Sequence, residues 1–598
     1  MAPSKPLPYS DHWNTLEEYV DELLKFVTTS HTHQILCGGV HLLDFFTTEK
    51  GLFGWVVPDD WQPWLLQLES MRLVDFLLRD DLESLKDPRP PESLIAYVKD
   101  IRRLSLGRDF SSDASRLPKL SWPSSVGMKP KKIHEVRNFA SYIDQLAIDI
   151  EMHYHTEITH FVDFGSGQNY LGRSLAQAPY NKQIVAVEGR EHNIVGAKGL
   201  DMVSGAAVKP KIIRNKKLFL QKLEGLTVEG TERNERYVKK NTKPLKSSEG
   251  YEADLGPRDK SAAIYTVEEG RGFIRYIEGR LESGDLSDVV EKLSVVSDEE
   301  ADITPKALSL MAISIHSCGN LSHHGIRSLI MNPTVRAIAI VGCCYNLMTE
   351  KLGPPTYKHP YMRATPQPLN GRIIKESSKR DPQGFPMSDR LCDYQGDGVR
   401  LNITARMMAC QAPSNWTEAE SDGFFLRHFY RAVLQKIFLD RGVISLVYHD
   451  KALAEDAAKT SSQTPFMSST NPVILGSLGK SCFTSLRAYV RGAIKKLTTV
   501  SDYHEQCDVI KEKMGGITDE EIDRYEREYL PRKREVSAIW TLMAFSAQVV
   551  ESLIVTDRWL FLRQHPDLVQ DCWVETVFDY QQSPRNLVVV GIKTPEHQ

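Results

Sequence analysis

The stretch Phe161-Val162-Asp163-Phe164-Gly165-Ser166-Gly167-Gln168-Asn169-Tyr170-Leu171 decides how this 598-residue chain is read. The apolar run from Ile158 to Val162 has the character of a buried parallel strand. Gly165 and Gly167 follow and offer a tight turn with no side chain in the way. Leu171 to Gln177 then reads as the opening of a helix. Strand, glycine turn and helix expose backbone N–H groups at the carboxyl edge of a sheet, where nucleotide-like ligands bind.

Asp163, just ahead of the glycines, selects among such ligands. A carboxylate there repels a pyrophosphate and attracts a ligand carrying an ammonium and a sulfonium. A second apolar strand, Ile184-Val185-Ala186-Val187, ends in Glu188, at the distance where a doubly wound fold places the acid that takes both ribose hydroxyls. A dehydrogenase fingerprint needs a third glycine where Tyr170 stands. The expected cofactor is therefore S-adenosylmethionine. The residues expected to hold it are Asp163, Gly165, Ser166, Gly167, Tyr170, Leu171, Glu188 and Gly189, with Cys318 and Gly319 from a later strand end.

Bulk properties set the frame. Hydrophobic residues make up 41% and charged residues 25%, ordinary values for a globular protein. A net charge of −4 excludes a general polyanion binder. No apolar run reads as long enough to span a bilayer, and Met1 to Ser10 does not resemble a signal sequence. Nine cysteines without a C-x-x-C pair suggest reduced thiols, hence an intracellular protein of cytoplasm or nucleus.

The chain divides by composition. Residues 1–120 read as a helical N-terminal domain, with helices near Trp13–Phe26, Ile35–Phe46, Trp61–Leu78 and Leu94–Ile101. The aromatic stripe Phe45, Phe46, Phe53, Trp55, Trp61 and Trp64 reads as helix-packing core. Residues 121–350 form the first part of an α/β core, interrupted by a polar, mobile insertion at about 208–262. Its third strand is expected at Phe273–Ile277, with Glu282 and Asp285 beyond it as surface acids or adenine contacts. Leu308–Ile315 and Val335–Val341 are buried strands. Residues 351–422 read as a substrate-side loop region. Residues 423–564 read as a helical insertion with the last core helix, including a Ser/Thr linker at 451–475, and 565–598 as a closing strand hairpin. Asp557-Arg558 and Arg585 read as an ion pair bracing that hairpin.

Several motifs then converge. They are G-M-x-P-K-K-x-H-E-V at Gly127–Val136, H-S-C-G-N-L at 316–321, G-C-C-Y at 342–345, F-P-M-S at 385–388, D-R at 557–558 and S-P-R-N at 583–586. Together with the glycine turn they resemble the methyltransferase-like protein 25 family, which includes proteins named for a ribosomal RNA adenine dimethylase domain. The resemblance implies a class I, Rossmann-like methyltransferase sheet of seven strands ending in an antiparallel hairpin, and S-adenosylmethionine binding. The H-x-C-G and C-C elements also resemble a family of transfer RNA 2′-O-methyltransferases, which implies an RNA acceptor beside a protein one.

Amino-methylating enzymes usually carry N-P-P-Y after the fourth strand, where this chain has His316-Ser317-Cys318-Gly319. His316 is a candidate base, or a buried structural histidine. Cys343 and Cys344 are candidate nucleophiles of a pyrimidine methylation, or small buried hydrophobes. Tyr345 is expected to line the acceptor pocket. The spacing of His316, Cys318, Cys343 and Cys344 is not that of a usual zinc motif, so no metal is expected. Lys129, Lys131 and Lys132 could face an anionic substrate, or form a solvated turn. The expectation is a methyltransferase acting on a macromolecule, with a non-catalytic scaffold of the same fold as the alternative.

Overall fold

The structure, a computed structural model, describes residues 2–48, 51–85, 88–111, 117–209, 263–297, 308–353, 380–446, 473–500 and 504–595. The expected insertion at 208–262, the linker at 451–475 and the middle of the 351–422 region lie largely outside them.

Seven strands form one sheet: β1 (His160–Phe164), β2 (Gln183–Glu188), β3 (Phe273–Glu278), β4 (Leu310–Cys318), β5 (Val335–Cys343), β6 (Val569–Thr576) and β7 (Leu587–Lys593). Their order is β3-β2-β1-β4-β5-β7-β6. The first five are parallel, and β7 runs antiparallel to both β5 and β6. The chain reverses its direction of winding at β1, so the carboxyl ends of β1, β2 and β4 frame a crevice. β4 and β5 outrun their apolar cores. After a register irregularity between Ser314 and Ser317, pairing resumes as Ser317 with Gly342 and Cys318 with Cys343.

Both faces of the sheet are covered. Val162, Phe164, Val185 and Val187 enter one apolar cluster, and Phe161, Ile184, Met311 and Ile313 enter the other. Such two-sided burial is why these strands read as continuous apolar runs.

Among the helices, in chain order, are α1 (Leu16–Thr29), α2 (Ser70–Leu78), α3 (Glu92–Leu104), α4 (Pro130–Tyr154), α5 (Tyr170–Ala176), α6 (Glu191–Ser204), α7 (Leu321–Met331), α8 (Glu418–Asp440), α9 (Leu486–Thr499), α10 (Asp519–Tyr529) and α11 (Lys533–Arg563). Thr15 caps α1 by accepting from the Glu18 N–H at 3.1 Å. α4 and α5 pack on one face of the sheet. α11 lies on the other, in one continuous core with α1, α3, α8 and α9. Most of the aromatic stripe is buried in that core, but Trp55 departs from it at 40% exposure.

The run Asp519–Arg563 does contain a window long and apolar enough to cross a bilayer, contrary to the sequence reading; 94% of that window is buried inside the protein. Its charged residues explain how it can be so deep. Asp557, fully buried, accepts from the Met387 N–H at 2.7 Å, the Ser388 N–H at 2.9 Å and the Ser388 hydroxyl at 2.6 Å. Arg558 donates to the Ser322 hydroxyl at 2.6 Å. The expected pairing of Asp557-Arg558 with Arg585 is thus not formed. Arg585 binds Glu551 instead, at 2.8 Å, about one and two-thirds helical turns earlier, while Asp557 is held by the F-P-M-S segment.

Replacing Asp557 by alanine strips three buried donors of their acceptor and should lower unfolding free energy by about 3 kcal/mol or more. Urea denaturation checks this; an unchanged midpoint would contradict the anchoring role.

Candidate functional site

The turn after β1 is built as the sequence implied. Gly165 and Gly167 adopt φ of +63° and +58°, and Asn169 is left-handed too at 51°. The N–H groups of Gly165 and Ser166 donate to Val187 O on β2, at 3.0 and 3.2 Å. Glu188 closes the crevice floor: its carboxylate accepts from the Gly167 N–H at 2.8 Å and the Arg190 N–H at 2.9 Å. A carboxylate offers about four lone-pair positions, so two remain for a ligand's hydroxyls. The Ser166 hydroxyl is buried with no partner, a vacant polar position within the turn.

Asp163 stands one strand away, 5% exposed. Burial pushes its carboxyl up to about 8; Lys132 works against this and the Glu188 charge adds to it. The two acids are therefore neighbours within electrostatic reach, as the strand order requires. A cationic ligand group beside Asp163 would restore its charge.

The start of α4 closes the other side. Lys129 precedes the helix and Pro130 takes its first turn, where a missing N–H costs nothing. Glu135, 1% exposed at its side chain, receives Lys132 at 3.0 Å, Lys131 at 3.7 Å, the His316 Nε2 at 2.9 Å and the Ser583 hydroxyl at 2.8 Å. Burial alone would raise this carboxyl; the His316 and Lys132 contacts outweigh it and bring it down to about 2. Two of the three lysines, Lys131 and Lys132, thus pair with Glu135, and Lys131 stays half exposed. His316, 39% exposed at its side chain, is not the buried alternative. With Nε2–H donated to Glu135, Nδ1 is the basic nitrogen of the neutral ring.

Other expected residues divide. Cys318, Cys343 and Cys344 come together across the ends of β4 and β5, with sulfurs 3.3 to 3.6 Å apart. Hydrogen bonds from Cys318 and Cys343, and the nearby His316 and Arg585, hold the Cys344 thiol well below the usual range. Gly319 turns at φ +58° against Leu347. The Tyr170 hydroxyl donates to Gln168 at 2.8 Å and sits against the Gly127 turn. Leu171 is core, 4% exposed. Gly189 lies under the Arg280 side chain. Asp285 accepts from the Ser287 N–H at 2.9 Å and so serves the start of the short helix Ser287–Ser297 rather than an adenine. Tyr345 does not line a pocket: at 2% exposure it donates to Glu551 at 2.8 Å, between the guanidinium groups of Arg558 and Arg585. Its hydroxyl satisfies a buried carboxylate, which draws the ring inward.

Glu135 and Ser583 stand inside the quoted motifs at 127–136 and 583–586, but neither had a role from the sequence alone. Lys131 and Lys132 precede Glu135 by four and three residues on one helix face, which is a signal for pairing. The contact of Ser583 depends on the closing hairpin's position beside α4, which no local pattern shows.

The raised Asp163 carboxyl carries a stability signature. Its contribution is fully present below the unfolded value of about 3.8 and is lost as pH rises toward about 8. Wild type should therefore lose stability relative to Asp163→Asn across that window, by at most about 1.4 kcal/mol per pH unit. Denaturation of both proteins between pH 5 and 8 checks this; parallel curves would place Asp163 in a wetter site than described.

Comparison with known proteins agrees with this fold. Residues 131–351 match a family model described as a methyltransferase domain, a stretch that holds β1 to β5. The human protein named probable methyltransferase-like protein 25 is 26% identical over 302 residues, 50% of this chain and 40% of its own length. The mouse protein of that name is 27% identical over 293 residues, 49% of this chain and 39% of its own. The matched region thus spans about two fifths of these curated relatives. No solved structure matches. Fold, motifs and relatives agree that the chain carries a methyltransferase domain and is similar to the proteins of the methyltransferase-like protein 25 family.

Proposed function

We propose that this protein binds S-adenosylmethionine at the ends of β1 and β2 and transfers its methyl group to a protein or RNA acceptor. The observation that supports this most is the pair Asp163 and Glu188, two buried acids at neighbouring parallel strand ends flanking a glycine turn. Asp163 would take the ammonium of the amino acid moiety and Glu188 the ribose hydroxyls. The vacant Ser166 hydroxyl suits a polar atom of the same ligand. When bound, the cofactor supplies an activated methyl group on a sulfonium leaving group, so the protein's part is chiefly positioning.

His316 is the group for the remaining step. If the acceptor must shed a proton, Nδ1 takes it while Glu135 stabilises the imidazolium through Nε2. Lys132 supports the same carboxylate. A base held by a carboxylate in this way suits a hydroxyl or amino acceptor presented over the ends of β4 and β5.

Asp163→Ala should weaken S-adenosylmethionine binding at least a hundredfold in calorimetry, the scale of losing a buried charge partner. Wild type should release close to one proton per ligand bound at pH 7, and bind more tightly as pH rises from 6 to 8, because Asp163 must ionise to receive the ammonium. Binding by neither S-adenosylmethionine nor its demethylated product would favour the non-catalytic scaffold. Methylated peptides and nucleosides compared in cells with and without the protein identify the acceptor.

A further inference from the structure

The three thiols at the edge of the sheet form a closed triangle. Cys318 Sγ is 3.3 Å from Cys343 Sγ and 3.4 Å from Cys344 Sγ, and the latter two are 3.6 Å apart. The fold makes this triangle by two devices. The extended pairing of β4 with β5 sets Cys318 directly opposite Cys343. Neighbouring residues of a strand point to opposite faces, so Cys344 would normally carry its sulfur away. Instead Cys344 is left-handed, at φ 43° and ψ 52°, which swings its sulfur back beside the others. A non-glycine residue in that region costs about 1–2 kcal/mol, a strain that the surroundings must offset.

The spacing distinguishes between uses of the cluster. A disulfide needs its sulfurs about 2.05 Å apart. Thiolates about 2.3 Å from a tetrahedral zinc lie about 3.8 Å from each other. The observed separations are close to the second value and far from the first. The triangle is also graded in exposure: Cys343 is buried, Cys344 intermediate and Cys318 exposed, so it opens on one side. Of the other donors nearby, the Cys410 thiol meets the Asn346 side chain at 3.5 Å and the Arg406 carbonyl at 3.4 Å, and His316 is held through Nε2 by Glu135, which leaves its Nδ1.

We propose that Cys318, Cys343 and Cys344 bind one zinc ion at the carboxyl ends of β4 and β5, leaving its fourth position to water or an acceptor atom. Three soft sulfur donors favour zinc over the hard divalent cations. Three protein ligands with one position open is the pattern of reactive rather than structural zinc. Binding turns thiols into thiolates, with their protons released to solvent. The linear spacing of these cysteines argued against a metal, but linear spacing describes local zinc motifs, whereas these ligands meet through strand pairing. The site stands independently of the cofactor reading. If both hold, the ion sits where it can polarise the acceptor and lower its proton affinity.

The test uses the full chain, purified under reducing conditions without chelators, with metal content measured by mass spectrometry. About one zinc per chain is expected, falling below a tenth in Cys318→Ser and in Cys344→Ser and staying unchanged in Cys482→Ser. Cobalt replacing zinc should give a thiolate-to-metal charge-transfer band that vanishes in the same two variants. Because the exposed Cys318 carries no packing role, circular dichroism of Cys318→Ser should match wild type. Zinc retained in a Cys318→Ser/Cys344→Ser double variant overturns the proposal. So does reduced, folded wild type that takes up neither zinc nor cobalt, or a metal-free protein isolated with a Cys318–Cys343 disulfide. Calorimetry with S-adenosylmethionine on the same preparation separates the two readings: cofactor binding without metal removes this inference alone.

Discussion

Glu551 is a carboxylate inside a helix with nowhere to reach water, and the assembly of the molecule follows from satisfying it. At 3% exposure it takes Arg108 at 2.6 Å, Arg585 at 2.8 Å and the Tyr345 hydroxyl at 2.8 Å. These donors come from the N-terminal region, the turn of the closing hairpin and the end of β5. An unpaired charge at this depth costs several kcal/mol, so the helix can be buried only when all three segments are in place. Asp557 repeats the arrangement about one and two-thirds turns later with the F-P-M-S segment. Packing and electrostatics here demand the same arrangement, which is what makes a core this extensive specific rather than merely apolar.

The same constraint shapes the crevice. Arg585, held by Glu551, fixes the S-P-R-N turn, and Ser583 in that turn donates to Glu135. Glu135 then orients His316. The residue best placed to move a proton is thus positioned by a chain of contacts that begins in a helix behind the sheet. Asp163 is arranged in the opposite sense: among the described residues no cation is shown hydrogen-bonding to it, and burial raises its carboxyl.

What could be read from the sequence was what depends on local pattern. The glycine turn, the strand ends at Asp163 and Glu188, and the antiparallel last pair were legible because β-strand periodicity and turn chemistry are local. The third strand, Phe273–Glu278, gave only a weak signal, because it does not alternate: its buried residues, Ile274 and Ile277, stand three apart. What escaped depends on contacts far apart in the chain. Tyr345 looked like a pocket residue because it follows a strand end, and only the position of Glu551 turns it inward. Arg585 was given the wrong acid for the same reason. The extension of β4 and β5 to Cys318 and Cys343 was hidden because pairing, not side-chain character, prolongs a strand past its apolar residues.

The sheet's connectivity has a consequence during synthesis. β5 emerges with its outer edge unpaired, and its partner β7 is encoded from Leu587 onward. At ordinary translation speeds of about 5–20 residues per second, that edge waits on the order of tens of seconds for its neighbour. Throughout that interval an apolar strand with free backbone groups is available to other nascent chains. The ribosome-bound form of this protein should therefore depend on chaperone shielding until its last strands are released.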